Sequence, residues 1–516
     1  MLEAFLAEHA TAVVLEDGKV LFDFRTAKFS LATDHGRCTL HLWNEERNLV
    51  RRIAHVEARS KALRLSTLRF GQTKPQMLEF ASDKNRRTPS TREAIRVRFV
   101  KIVERVLERQ FPEWRPEAFR TAMDLEKSFG PAYARGLLVQ GQKAWAVIAV
   151  NDEETPVTID GILTFGILWL EACRQAPGQR RVVQGLKLVL PRGAGTLTLS
   201  RMAWLNGDRS QWELWEMDQS TEAMELRDAE DQGNLATHLA HAPNVHAATE
   251  RFAASASKVI ALVPDATRTY VEQKLRSGSE LAFLLHGLEF ARVRLGASPT
   301  SFNRVEQITF GTGPNETELN EGNENMLREL VERLSERRTA TGEKRDPLYR
   351  MQPERWLESQ VRHDVTLLDA HLQREHVYTQ VPAFAASDRG MLDLLSVYED
   401  GRLAVIELKA EEDPQLALQG LDYWVRVRWH QRQNPDRETG LGEFQRHGYF
   451  GGVQLSEYAP RLLLVAPALR VHPATEIVLR HVSHRVEWTL IALDERWRKQ
   501  IKVVWRKRSS DARTAS

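Results

Sequence analysis

Residues 391–409 read MLDLLSVYEDGRLAVIELK. Two apolar runs flank Glu399-Asp400-Gly401, the pattern of a β-hairpin with a short Gly-containing loop. Asp393, Glu407 and Lys409 lie inside those runs, where a buried sheet would take Val or Leu. An isolated charge in a core costs several kcal/mol, on the order of a whole domain's stability margin. Geometry offers a reason for bearing that cost. With a three-residue loop and Gly401 in the left-handed region, Tyr398 pairs with Arg402. Asp393 then stands opposite Glu407 on one face, roughly 5 Å away. A two-residue Asp-Gly turn would place Asp393 opposite Leu408 instead, and a one-residue slip sends the side chains to opposite faces. Lys409 shares the Glu407 face in either register. Two facing carboxylates repel unless a proton or cation intervenes. All-oxygen coordination suits Mg²⁺, whereas zinc would look for His or Cys. A lysine beside such a pair fits metal-assisted hydrolysis.

The flanking sequence extends the constellation. In DPQLALQGLDYWVR, Asp413 is a candidate N-cap and Pro414 fits a first helical turn. Gln419, Tyr423 and Arg426 then recur at i, i+4, i+7 as a polar face, beside an apolar face of Leu418, Leu421 and Val425. Upstream, Glu358 lies in the helical pattern PERWLESQVRHDVTLLDAHL, ahead of a strand VYTQVPAF.

Glu358, Asp393, Glu407-Leu408-Lys409 and Gln419-x-x-x-Tyr423 together resemble the PD-(D/E)xK nuclease superfamily. The likeness is closest to its RecB-type group and to the C-terminal domain of NucS (EndoMS)-like endonucleases, and it covers roughly residues 350–495. The resemblance implies a restriction-endonuclease-like core with a central mixed sheet flanked by helices. It implies that Asp393, Glu407 and the Leu408 carbonyl bind a catalytic Mg²⁺ or Mn²⁺, with Glu358 completing or supporting that site. Lys409 would act on the attacking water, and Gln419 and Tyr423 would position the scissile phosphate or order the site. Departures exist. Leu392 stands where the nominal motif has Pro, no cysteine quartet is present for an iron–sulfur branch, and no GxxxxGK[ST] marks an ATP motor.

Composition is compatible with this. A chain of 516 residues exceeds one core, so three or four domains are expected. The net charge of +2, with 28% charged residues, places any signal in local clusters. Two cysteines, Cys38 and Cys173, exclude a disulfide scaffold or a four-thiolate metal site within one chain and point to a reducing cytoplasm. No signal-peptide pattern opens the chain. ILTFGILWLEAC, the longest greasy stretch, is shorter than the ~20 residues a membrane helix needs.

The expected class is therefore α/β, mixed α+β overall, in five parts. Residues 1–88 form a β-rich domain read from a strand meander, and 89–222 a degenerate copy of the nuclease-like domain. Residues 223–345 form a mixed connecting region, 346–508 the nuclease-like domain, and 509–516 a disordered tail. The degenerate copy is read from an echo: WAVIAVNDEETPVTIDGILTFGIL (145–168) lies over LAVIELKAEEDPQLALQGLDYWVR (403–426). Ungapped, that puts Ala149 and Asn151 where the second copy has Glu407 and Lys409, and Arg135 opposite Asp393.

Three other features have two readings. A helix from Ser90, with a capping box to Glu93, places Ile95, Phe99, Ile102 and Val106 on one face. Arg92, Arg96, Arg98, Lys101 and Arg105 lie on the other, as a solvated face or a phosphate-tracking surface. The Arg/Lys-Trp run RWRKQIKVVWRKR (496–508) is either an amphipathic strand packing Trp497 and Trp505 or a nucleic-acid rim. His238, His241 and His246 read better as a surface loop than as a metal cluster. In the connecting region, ASKVIALV reads as a buried strand and SELAFLLHGLEFARVR as a helix or a helix running into a strand.

The functional expectation is a cytoplasmic metal-dependent deoxyribonuclease of repair or defence, endonucleolytic rather than exonucleolytic. Its partner would be DNA, contacted by Arg96, Arg98, Lys101 and Arg426; no membrane is involved, and homodimerisation is allowed. The alternative is a nucleic-acid-binding or regulatory protein that keeps the fold without turnover.

Overall fold

The computed structural model describes residues 2–9, 12–16, 19–24, 27–34, 37–44, 48–59, 62–68, 75–81, 89–122, 129–178, 180–228, 237–297, 304–312, 316–379, 381, 383–384 and 393–514. Residues 385–392 ahead of the hairpin, including Leu392, lie outside these, as do the side chains of Ser90, Arg92 and Glu93. The fold is of the α/β class, with helices and several sheets. Among the described residues no helix is long and apolar enough to cross a membrane.

Two compact units divide the chain, residues 1–99 with 313–316 and residues 100–312 with 317–516. The first begins with helix α1 (Leu2–Glu8) and a seven-stranded antiparallel sheet, β1–β7, running from Val13–Glu16 to Gln76–Ala81. The alternating strand Ala62–Leu68 turns Leu63 and Leu65 inward, where they meet Val14, Leu40, Leu78 and Phe80 in one apolar cluster. Helix α2 (Pro89–Gln110) crosses the unit boundary, which falls within it after Phe99 rather than ahead of it at residue 88. Among its described side chains, Phe99, Val103, Val106 and Leu107 are buried.

The second unit holds two six-stranded sheets. The first contains β8 (Arg115–Arg120), β9 (Tyr133–Gln140), β10 (Lys143–Val150), β11 (Val182–Pro191), β12 (Gln211–Asp218) and β13 (Ala223–Arg227). A short turn of helix, α3 (Pro156–Asp160), precedes crossover helix α4 (Ile162–Arg174), and α5 (Thr196–Met202) makes the next crossover. A middle region follows, with β14 (His238–Leu239) and helices α6–α8 between Val245 and Arg268. Strands β15–β19, from Val271–Ser277 to Thr317–Glu318, then lead to α9 (Glu324–Arg337). This region corrects two sequence readings. ASKVIALV runs through the end of a helix, Ala253–Ala261, which Leu262 caps, and SELAFLLHGLEFARVR is a hairpin of Glu280–Leu285 and Leu288–Ala297. The deciding feature is His286-Gly287, whose positive φ values of 47° and 74° turn the chain in the manner of two-residue hairpin loops.

The last sheet contains β20 (Tyr378–Thr379), β22 (Leu394–Val397), β23 (Leu403–Leu408), β24 (Arg461–Pro467), β25 (Glu487–Leu493) and β26 (Val503–Arg508); β21 (Ala383–Phe384) pairs with β14 instead. Helices α10 (Pro347–Arg350) and α11 (Pro353–His363) precede it. Crossovers α12 (Leu416–Gln431), with α13 (Glu443–Arg446) after it, and α14 (Pro473–His481) join its parallel strands. Every residue of β23 is buried, as expected for a central strand covered on both faces. Helix α11 stops at His363, short of the run to Leu372 read from sequence, and Asp364 caps the 3-10 turn that follows. The tail expected to be disordered forms helix α15 (Ser509–Thr514), whose Asp511 accepts a hydrogen bond from the Arg508 amide at 2.9 Å. Trp497 is buried against Trp356 and Trp505 packs on the core edge. Both tryptophans of the basic run thus serve packing.

The two six-stranded sheets have the same plan. Reading across each, the pairings run antiparallel, antiparallel, parallel, parallel, antiparallel. A helix fills each parallel crossover, because parallel neighbours need a long connection.

The hairpin β22–β23 has the three-residue loop. Tyr398 donates its amide to Arg402 at 2.8 Å, Gly401 donates to the Tyr398 carbonyl at 2.9 Å, and Val397 pairs with Leu403. Gly401 has φ +77°, and a Cβ there would lie 2.1 Å from the Gln454 carbonyl oxygen. Gly401→Ala combines left-handed strain with a backbone clash, an expected loss of ~2–4 kcal/mol. Urea denaturation should show a lowered midpoint; an unchanged midpoint would mean the loop does not hold the register.

Candidate active site

Continuing the pairing of Leu394 with Ile406 by one residue sets Asp393 opposite Glu407. Asp393 Oδ2 accepts a hydrogen bond from the Leu408 amide at 2.9 Å, so the carboxylate closes the end of the hairpin. Because a residue's N–H and C=O point to the same edge of a strand, the Leu408 carbonyl faces the Asp393 side as well. Lys409 Nζ lies 3.2 Å from Glu407 Oε1 and 3.8 Å from both Glu354 and Asp413.

Helix α12 covers this end of the sheet. Gly420 allows the approach: a Cβ there would lie 2.4 Å from Leu464 Cδ2 and 3.5 Å from Glu407 Cβ. Gln419, beside it, has a buried Oε1 without a hydrogen-bond partner, and the half-buried Tyr423 lies within the fields of Glu407 and Asp393. Arg426, assigned from sequence to nucleic-acid contact, is buried and is not a surface phosphate ligand here. The expected N-cap is shifted. The helix begins at Leu416, and Asp413 accepts from the Gln415 amide at 2.8 Å.

The electrostatics are those of a crowded carboxylate site. Glu407 is 1% exposed, and its Oε2 has no hydrogen-bond partner. Burial first, and the Asp393 charge second, push its carboxyl well above the usual range, against the pull of Lys409. Burial also raises Asp393, opposed by the Leu408 amide and reinforced by Glu358. Burial works to lower Lys409, but Glu407, Glu354, Asp393 and Asp413 outweigh it and hold the ammonium above its ordinary value. Burial raises the Tyr423 hydroxyl, with Glu407 and Asp393 adding to the effect.

Glu358 is buried on α11, but its carboxylate is engaged by Lys274 at 3.1 Å and Arg355 at 2.6 Å. Four residues earlier, Glu354 is the helix carboxylate that reaches Lys409. Sequence reading missed Glu354, although Glu354 and Glu358 stand at i and i+4 and share a face. Among the described residues, no three His, Cys, Asp or Glu side chains converge as a metal-holding group. The donor set is the Asp393–Glu407 pair with the Leu408 carbonyl. A buried carboxylate oxygen without a partner, facing a second carboxylate, is an arrangement that a hard divalent cation would neutralise.

The basic face of α2 is divided. Arg98, Lys101 and Arg105 are exposed and Arg96 is half-buried, and both Arg105 and Arg109 are engaged by Glu222. His241 stacks on His447 and His246 lies 3.6 Å from Glu250, so the histidines of that loop do not gather.

The equivalent positions of the first sheet carry no such site. Gly166 lies over Ile148, Leu186 and Leu188 as Gly420 lies over Glu407, Leu462 and Leu464. Ile148 pairs with Arg135 and Leu188, and Glu407 with Leu464 and, by continuation, Asp393. Arg135 is thus the counterpart of Asp393. Glu407 and Lys409 correspond to Ile148 and Val150, one residue before the Ala149 and Asn151 of the ungapped reading. The shift arises because Gly141-Gln142 is a two-residue loop where the second hairpin has three. From the paired glycines, Gln419 and Tyr423 correspond to Phe165 and Trp169. Arg135 is buried, donates to the Ala122 carbonyl at 2.6 Å and lies 4.6 Å from the Phe129 ring centre and 5.8 Å from that of Trp169.

No family model matches the chain, and no curated protein or solved structure matches it either.

The raised Glu407 value carries a stability consequence. A carboxyl raised on folding holds its proton more tightly in the native state, so native stability falls as pH rises from the ordinary 4.5 through the raised native value. In metal-free buffer at neutral pH, Glu407→Gln should melt higher than wild type, by ~2–4 °C. The gap should close as pH falls toward 4.5. Mg²⁺ should raise the wild-type melting temperature and leave the variant's unchanged. A variant that melts lower at neutral pH would show that Glu407 is held as a structural ion-pair partner of Lys409.

Proposed function

We propose that the chain is a divalent-metal-dependent nuclease that hydrolyses phosphodiester bonds in DNA. One observation carries this reading: Asp393 faces Glu407 across a buried hairpin end, an oxygen of Glu407 lacks a partner, and Lys409 stands 3.2 Å away. A solvated hairpin would have no reason to bury that set, and a structural salt bridge would need one carboxylate rather than two.

Asp393, Glu407 and the Leu408 carbonyl would hold Mg²⁺ or Mn²⁺, which supplies positive charge to the phosphoryl oxygens and a more acidic bound water. The chain's own residues do the rest. Lys409, an ammonium at neutral pH, donates hydrogen bonds and stabilises negative charge on the phosphate in the transition state. Glu354 and Asp413, each 3.8 Å from it, add to the negative field that holds that ammonium. Gln419 and Tyr423 orient the scissile phosphate from α12. Glu358, tied to Lys274, braces α11 against β15.

The test is cleavage of single- and double-stranded DNA with Mg²⁺ or Mn²⁺ against an EDTA control. Wild type should cut, and Asp393→Asn or Lys409→Ala should lose ~10²–10⁴-fold in rate while the circular dichroism spectrum stays native. Metal-independent cleavage, or full activity in either variant, would reject the site. Wild type that binds DNA but never cuts it would leave a nucleic-acid-binding protein.

Exposed Arg98 and Lys101, with Arg96, are proposed to contact phosphates. Reversing all three to Glu should weaken DNA binding and flatten the log-affinity against log-salt slope by ~0.9 for each phosphate that is no longer neutralised, with the rate at saturating DNA retained. An unchanged slope would assign that face to solvent.

A further inference from the structure

The two six-stranded halves pack on each other reciprocally. Helix α12 of the second half lies on α5 of the first, and α14 of the second lies on α4 of the first. Since α4 and α12 are the equivalent first crossovers, and α5 and α14 the equivalent second ones, each half offers the other the same surface. That is the signature of an isologous, two-fold interface, here within one chain.

Two points mark the axis. The segments after α5 and α14 form an antiparallel bridge between Leu205 and Val482. There the Asn206 amide donates to the His481 carbonyl and the Ser483 amide to the Trp204 carbonyl, each at 2.8 Å. At the other point the starts of α4 and α12 meet. Thr164 Oγ1 donates to Gln415 Oε1 at 2.8 Å, and a Cβ on Gly161, the counterpart of Gln415, would lie 3.1 Å from Gln415 Nε2.

Off the axis the halves have diverged. Arg201 of α5 grips Asp422 of α12 through two hydrogen bonds of 2.7 and 2.6 Å. In the symmetry-related contact of α14 with α4, Ala474 and Leu168 share an apolar cluster with Ile477 packed against it, and the polar pair is His481 with Glu171 at 3.0 Å.

The starts of α4 and α12 follow the C-terminal ends of β10 and β23, where the site residues stand. The two site ends therefore flank the axis side by side, and Gln419 is one helical turn from the axial Gln415, ~6 Å along α12. A duplex has its own local dyad and presents its two strands equivalently to a two-fold surface. One half of this surface has Asp393, Glu407, Lys409, Gln419 and Tyr423. The other has Arg135, Ile148, Val150, Phe165 and Trp169, with the cation buried and no carboxylate in the set.

We propose that the molecule is a single-chain pseudo-dimer that binds duplex DNA across its internal dyad and breaks one strand only. This rests on the nuclease reading above and adds to it the substrate form and the product. The first half serves as a binding partner in place of a second subunit, so one chain suffices for one duplex.

The experiment uses the full chain, a covalently closed supercoiled plasmid and a single-stranded oligonucleotide, with Mg²⁺ or Mn²⁺, at enzyme in excess over DNA. The expected first product is open-circular plasmid, converted fully before any linear form arises, at a rate that does not rise with further enzyme. Sedimentation of Asp393→Asn with a short duplex should show one chain per duplex. Linear plasmid formed as the first product would overturn the proposal, as would two chains per duplex. Cleavage of the oligonucleotide with the plasmid untouched would overturn the duplex assignment. If neither substrate is cut, the nuclease reading itself has failed, an outcome separate from the others.

Discussion

The opposition of Asp393 and Glu407 at the end of one hairpin is the constraint around which the second unit is arranged. Two carboxylates within a few ångströms in an apolar surround repel strongly, and burial makes each harder to ionise. The structure contains that repulsion with three devices. The Leu408 amide binds Asp393, Lys409 binds Glu407, and Glu354 and Asp413 stand 3.8 Å from Lys409 and favour its charge. The first of these needs this register, because a one-residue slip would turn Glu407 and Asp393 to opposite faces. Gly401 sets that register, and only glycine fits against the Gln454 carbonyl at its positive φ.

Packing then turns this local geometry into a site. Gly420 brings α12 against the Glu407 strand, which delivers Gln419 and Tyr423 to the same end. Helix α11 approaches from the other side, and Lys274 of β15 ties it to the middle sheet through Glu358. Burial pushes the Lys274 ammonium down to about 8, against the upward pull of Glu358. The carboxylate matching the family resemblance is thus used for bracing, while its neighbour one turn earlier faces the lysine.

The first half shows what the same topology does without the chemistry. Its hairpin is one residue shorter in the loop, and its site positions hold Ile148, Val150, Phe165 and Trp169 around a buried arginine. Here the charge is accommodated by a backbone carbonyl and two aromatic faces, a stable arrangement for a guanidinium. Relieved of carboxylate repulsion, that half keeps the surface through which the two halves pack.

Much of the second half was legible from sequence because its determinants are local. Glu399-Asp400-Gly401 specifies a loop length, alternation gives the shared face of Asp393, Glu407 and Lys409, and Pro414 marks a helix start to within two residues. The strand succession up to Leu68 and the AVI echo are likewise patterns of period and order, whereas the closing strand Gln76–Ala81, which pairs back to Val13–Glu16, was not read. What depended on distant partners was not legible. SELAFLLHGLEFARVR has the apolar content of a helix, and the His286-Gly287 turn together with the pairing of its arms to β15 and to the strand Arg304–Phe310 makes it a hairpin. Glu354 and Glu358 share one helix face, and which of them meets Lys409 depends on Lys274, 84 residues from Glu358 in sequence. The counterparts Ile148 and Val150 need the sheet register, since an ungapped alignment cannot place a one-residue difference in loop length. The sequence by itself determined that charges, glycines and apolar runs recur at spacings fit for a buried hairpin site. Tertiary structure alone decided which charges converge and that the two halves face each other about an axis, because both follow from contacts between segments that no local period relates.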